Sequence, residues 1–249
     1  MRIAVAGGTG VVGRYVVERL KAAGETPVIL TRAAGIDITT GAGLDAALHG
    51  VDSLIDVSNT TSARKKDAIT FFGAGTSHLL QAGKQAGVRR HVILSIVGAD
   101  RVDFGYYFGK RHQEALALGS GRPVSILRST QLYEFAGQLI DRSAGPLAVI
   151  PRMRIQPVAA QEVADALVAL LDGPLGVAPE LAGPERLELT DLVRAVLKRR
   201  GSKKLVLPVR APGRTGRAMA DGALLPTDDG PRGHVTFAEW LADLSPVTR

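Results

Sequence analysis

The stretch that most constrains this chain is Arg2-Ile3-Ala4-Val5-Ala6 running directly into Gly7-Gly8-Thr9-Gly10-Val11-Val12-Gly13. The first five residues read as a short buried strand, and the glycines after it admit backbone turns and close approaches that a side chain would block. Beyond them Val12, Val16, Val17 and Leu20 recur at three- and four-residue spacing, so the next segment is a helix with one apolar face. A strand, a glycine turn and a helix in immediate succession is the opening unit of a parallel α/β sheet.

That succession has a chemical use. Unpaired amides at a helix N-terminus, aided by the macrodipole, hold a pyrophosphate. Gly7 permits the tight exit from the strand, Gly10 the approach of phosphate to backbone, and Gly13 the close packing of helix on strand. The glycines fit GxxGxxG at 7, 10 and 13 and GxGxxG at 8, 10 and 13. The expected dinucleotide contacts here are Gly7, Gly10, Val11, Val12, Gly13 and, directly behind them, Arg14.

Pro27 to Arg32 reads as the second strand, with its end about twenty residues past the turn, where the adenosine ribose is met. An acid there selects NAD and an arginine accepts the 2′-phosphate of NADP. The chain offers Thr31 and Arg32 there, with no acid until Asp37, so NADP is favoured over NAD and Arg32 and Asp37 join the cofactor candidates. Ser53 to Val57 is a further strand. Ser58 and Asn59 at its end either line the cofactor cleft or serve as turn residues.

Phe72 to Ala86 reads as a helix and His91 to Ile96 as a fourth strand. Pro123 to Arg128 follows as a fifth, Gln161 to Leu171 as a helix, Thr190 as the cap of a helix to Arg200, and Leu205 to Val209 as a strand. Pro151 to Ile155, Gly173 to Pro184 and Ala211 to Gly233 read as loop. The alternation specifies a doubly wound, Rossmann-type parallel sheet. One domain over residues 1–249 is expected, with 129–155 and 183–249 forming a small C-terminal lobe over the substrate.

Tyr106 and Lys110, four residues apart, share a helical face, and Ser95 ends the strand before them. A carbonyl reductase needs a proton donor for the developing alkoxide, and a phenol serves when a nearby cation stabilises its anion. Tyr106 is then the donor, Lys110 its cation and a ribose ligand, and Ser95 the group that orients the substrate oxygen.

These residues resemble the short-chain dehydrogenase/reductase superfamily, in its atypical NmrA-like branch. The resemblance rests on Gly7, Gly10 and Gly13, Leu30-Thr31-Arg32, Gly50-Val51-Asp52, Leu94-Ser95-Ile96-Val97-Gly98, and Tyr106 with Lys110. It continues in Leu127-Arg128-Ser129-Thr130-Gln131 and in Gln156-Pro157-Val158 before Val163-Ala164. It implies that Ser95, Tyr106 and Lys110 are the catalytic set of an NAD(P)H-dependent oxidoreductase acting on a small carbonyl, alcohol or quinone. The same branch contains members that bind the dinucleotide as redox sensors without turning it over, which is the alternative reading. In look-alikes the stretch from Ser129 covers the nicotinamide end, making Gln131, Tyr133 and Phe135 pocket candidates.

Composition narrows the remaining classes. There is no cysteine, which removes disulfides and thiolate metal sites. The five histidines form no HxxxH or HExxH group and read as surface or helix-end residues, so no metal is expected. The net charge of +7 gathers in Arg194, Lys198, Arg199, Arg200, Lys203, Lys204, Arg210, Arg214 and Arg217 without interleaved aromatics. That pattern is read as a solvated face and not as a nucleic-acid patch. No apolar run is long enough to span a membrane, and no GxSxG elbow marks an acyl hydrolase. A cytoplasmic protein with a small-molecule substrate is expected; the oligomeric state is not legible.

Overall fold

The apolar runs become six parallel strands with helices on both faces, in a computed structural model that describes residues 1–244. β1 (Arg2–Ala6) enters α1 (Val11–Ala22) through the glycine turn, and β2 (Thr26–Leu30) returns beside β1 with Val5 opposite Ile29. A 3-10 turn (Arg32–Ala34) and α2 (Leu44–Ala47) carry the chain to β3 (Ser53–Asp56), on the other side of β1. α3 (Lys65–Gln85), β4 (Arg90–Ile96), α4 (Gly105–Gly119) and β5 (Val124–Ser129) extend the sheet in that direction.

The rest of the chain is more broken. It runs through α5 (Glu134–Arg142), β6 (Leu147–Pro151), β7 (Arg154–Ile155), α6 (Ala160–Ala169) and β8 (Gly176–Val177). β9 (Leu187–Glu188), α7 (Leu189–Arg199), β10 (Leu205–Val209), α8 (Gly213–Ala220) and α9 (Phe237–Asp243) follow. The main sheet has the order β2-β1-β3-β4-β5-β8. β6 pairs with β10 in parallel and β7 with β9 antiparallel.

Side-chain alternation explains why both faces are covered. Ile3 and Val5 of β1 pack with Val16 and Leu20 of α1 and Val163 and Leu167 of α6, whereas Ala4 and Ala6 face Leu44, Leu54 and Leu79. A separate core joins Tyr133, just before α5, with Ile140 of α5, Ile150 of β6, Leu189 to Leu197 of α7, and Leu224. The expected lobe drew on these elements; its last five residues, 245–249, lie outside the described ones.

Several expectations are corrected. Gly173 to Pro184 contains the sixth strand, β8, held on β5 by Ser125 and Ile126. Ala211 to Gly233 contains α8, and the Pro151 to Ile155 loop contains β7 and the end of β6. α3 begins seven residues before Phe72, at Lys65. Thr190 is buried inside α7 and does not cap it: Glu188 precedes the helix without a side-chain cap. β2 stops at Leu30 because the Thr31 hydroxyl accepts from the Ala34 amide at 3.2 Å and turns the chain, leaving Arg32 exposed in the turn.

Candidate functional site

The chain leaves β1 toward β2 on one side and toward β3 on the other, so the carboxyl ends of β1 and β3 flank the crevice where such sheets bind ligands. Gly7 turns here with φ +79°, and a Cβ on it would lie 2.8 Å from the Val57 carbonyl oxygen. A Cβ on Gly13 would lie 2.1 Å from the Gly7 oxygen and 2.6 Å from the Gly8 Cα, so helix and turn are in backbone contact. Gly10 is different: among the described residues only the Gly7 oxygen, at 3.2 Å, would be crowded by its Cβ.

α1 starts with no side-chain cap and no acid in its first turn, and the amides of Val11, Val12 and Gly13 have no acceptor among the described residues. The cradle fits a nicotinamide dinucleotide: free amides at a helix N-terminus, glycine walls, and Arg14 exposed just behind.

The end of β2 is basic. Arg32 stands exposed at the end of β2, while the Asp37 carboxylate accepts from the Thr39 amide at 2.8 Å and hydroxyl at 2.7 Å. Those bonds, with Arg32 adding to them, hold Asp37 below the usual carboxylate range. Asp37 therefore shapes the turn. An open cleft of about 590 Å³ continues past Thr39 and Thr60 to Lys66, Asp67, Thr70 and Phe71.

Ser58 is buried at the end of β3 and Asn59 is exposed. The Ser58 amide donates to Asp56 Oδ1 at 2.9 Å, and Asn59 Oδ1 accepts from the Tyr106 hydroxyl at 2.8 Å. α4 comes this close because Gly105 and Gly109 carry no side chain: Cβ atoms there would lie 2.0 Å from the Ala63 oxygen and 2.8 Å from Ala68.

Lys110 is 5% exposed, and its Nζ donates to the Leu94 carbonyl and to Gln113 Oε1, both at 2.9 Å. It also lies 4.2 Å from the Phe72 ring centre, against which Tyr106 packs edge-on. Burial pulls Lys110 down to about 8, against the attraction of Asp56 and Glu114. Burial beside Tyr107 pushes the Tyr106 phenol up. The expected stabilisation of a Tyr106 anion by Lys110 is thus not the arrangement found, because the ammonium is turned to Leu94 and Gln113. Among the described residues the buried Ser95 Oγ has no partner, and neither polar atom of the buried Gln131 side chain reaches hydrogen-bond geometry, although the Tyr107 phenol lies beside it.

Residues 3–98 match the NAD dependent epimerase/dehydratase family. The chain is 32% identical over 116 residues to photosystem II assembly factor Ycf39 of Synechocystis sp., a match covering 40% of this chain and about a third, 35%, of that factor. It is 29% identical over 204 residues to the (4-alkanoyl-5-oxo-2,5-dihydrofuran-3-yl)methyl phosphate reductase of Streptomyces griseus, covering 74% of this chain and 68% of the reductase. A solved UDP-glucose 4-epimerase of Thermus thermophilus in complex with NAD shares the fold, with TM-score 0.68 and 20% identity over 97% of this chain and 92% of its own.

Reading by motif missed the polar groups beneath the site. Asp56, 1% exposed, accepts from Gln113 Nε2 at 3.0 Å, and Glu114 binds Arg128 through two bonds of 2.6 and 3.0 Å. The signals were present: Asp56 interrupts an apolar strand, and Gln113 stands three residues after Lys110 on one helix face. His91 corrects the expectation of surface histidines, being buried in β4 with Nε2 unpartnered among the described residues. Much of the late basic cluster is spent internally. Arg194 pairs with Asp191, Arg200 with Asp141, Arg199 donates to the Leu241 and Ala242 carbonyls, and Lys204 to that of Ser143. No helix among the described residues is long and apolar enough to cross a membrane.

Proposed function

We propose that the chain is an NADPH-dependent oxidoreductase that acts on a small carbonyl, alcohol or quinone. The observation that carries this is the presence of two features at the carboxyl end of the sheet: the free amides of α1 and the Tyr106 hydroxyl, bonded to Asn59. Bound on the cradle, the nicotinamide supplies or accepts the hydride. Tyr106, kept protonated by burial, gives the proton to the substrate oxygen, and the unpartnered Ser95 hydroxyl orients that oxygen. Arg14 and Arg32 favour the 2′-phosphate, since Asp37 is committed to Thr39. A cysteine-free chain using this cofactor fits the cytoplasm.

Loss of NADPH absorbance over a panel of aldehydes, ketones and quinones tests the reading. Turnover of at least one class supports it; tight NADPH binding with no turnover overturns it in favour of the redox sensor of the NmrA-like branch. One observation favours that second reading, namely that Lys110 faces Leu94 and Gln113 and not the Tyr106 phenol.

A further inference from the structure

The lysine of the site ends in a buried polar chain that crosses from α4 to β3. Lys110 Nζ donates to Gln113 Oε1 at 2.9 Å, Gln113 Nε2 donates to Asp56 Oδ2 at 3.0 Å, and Asp56 Oδ1 accepts from the Ser58 amide at 2.9 Å. All four residues are buried, between 1% and 7% exposed. An ammonium only donates and a carboxylate only accepts, so the amide between them has one orientation that satisfies both ends. Asp56 is the last residue of β3, opposite Ala6 of β1 and Ile93 of β4, and so lies directly under the glycine turn.

We propose that Gln113 and Asp56 are positioning residues for Lys110. The carboxylate orients the amide, the amide holds the ammonium against the Leu94 carbonyl, and the same carboxylate fixes the Ser58 amide at the cleft. One buried acid then governs both the charge of the lysine and the shape of the cofactor floor. This rests on the reading of Lys110 as the cofactor lysine of the proposed oxidoreductase.

The groups facing Lys110 are few. From α3 it meets the Phe72 ring, from β4 the Leu94 carbonyl, and from β3 Asp56 by way of Gln113; on its own helix Glu114 is held by Arg128. Asp56 is therefore the unpaired negative charge that keeps the buried ammonium charged, and burial already brings its midpoint to about 8.

The test is titration of Lys110 in the full chain by NMR of 13Cε-labelled lysine, with the resonance identified by its loss in Lys110→Met. In Asp56→Asn and Gln113→Leu the midpoint is expected to fall by about one pH unit or more, and in Gln113→Glu to rise by a similar amount. Midpoints that stay at the wild-type value in folded variants overturn the proposal. If Asp56→Asn does not fold, the upward shift in Gln113→Glu, whose side chain has the same shape, carries the test, and its absence overturns the proposal equally. The readout needs no substrate: a carbonyl panel without turnover removes the oxidoreductase reading and leaves these midpoints where the polar chain puts them.

Discussion

The Tyr106 hydroxyl donates to Asn59 Oδ1 at 2.8 Å, joining helix α4 to the loop after β3 across the mouth of the cleft. A phenol held there is placed to give a proton, and losing a positioned general acid costs roughly 10²- to 10⁴-fold in rate. Tyr106→Phe is accordingly expected to lower kcat by about that factor while NADPH affinity, read by calorimetry, stays within about twofold. Undiminished turnover in this variant removes Tyr106 from the chemistry.

The glycine turn separates fold from ligand. Gly13→Ala puts a methyl 2.1 Å from a backbone oxygen, and overpacking of this kind destabilises by about 1–3 kcal/mol or more, so a lowered melting temperature is expected. Gly10→Ala meets one atom at 3.2 Å, and is expected to melt near wild type yet bind NADPH at least about tenfold more weakly, a loss of roughly 1.4 kcal/mol. Equal effects of the two on melting contradict the account of the turn.

In the proposed reading, cofactor choice depends on Arg32. A charge-assisted bond to a phosphate contributes about 1.5–3 kcal/mol, so Arg32→Asp is expected to weaken NADPH roughly ten- to a hundredfold and to leave NADH unchanged or tighter. Equal loss for both nucleotides contradicts a role at the 2′-phosphate.

His91 makes a prediction about acid. Burial holds its folded-state value down to about 4, against an ordinary value of 6.5, so the unfolded chain takes up the proton first as pH falls. The stability this gives is fully present above pH 6.5 and is lost as pH falls from 6.5 toward 4, amounting to about 3 kcal/mol across the window. In His91→Leu, urea midpoints measured across that window are expected to lose this part of their pH dependence; an unchanged slope contradicts it.

The opening unit was legible because two patterns meet in it: an unbroken apolar run in Ile3 to Ala6 and helical spacing in Val12 to Leu20, and both sets of residues are found in the core. The pairing of Tyr106 with Lys110 on one helix was legible for the same reason. β8 was not, since a strand of two residues, Gly176 and Val177, exists only through its distant partners on β5. The first turns of α3 were hidden by Lys65, Lys66 and Asp67, which carry no apolar rhythm and fold as helix under tertiary contacts. The polar chain under Lys110 was invisible for a related reason: Asp56 and Gln113 are 57 residues apart, and only the crossover from β3 to α4 brings them together.

α6 is cut from a stretch lying between β7 and β8, yet its Val163, Ala164 and Leu167 close the layer that α1 begins. During synthesis that face of the nucleotide-holding half therefore stays only partly covered, by α1, until residues as late as Leu181 have emerged from the ribosome. A chain cut before α6 would keep α1 alone over that side of the sheet, with the apolar surface that Val163, Ala164 and Leu167 cover left facing water.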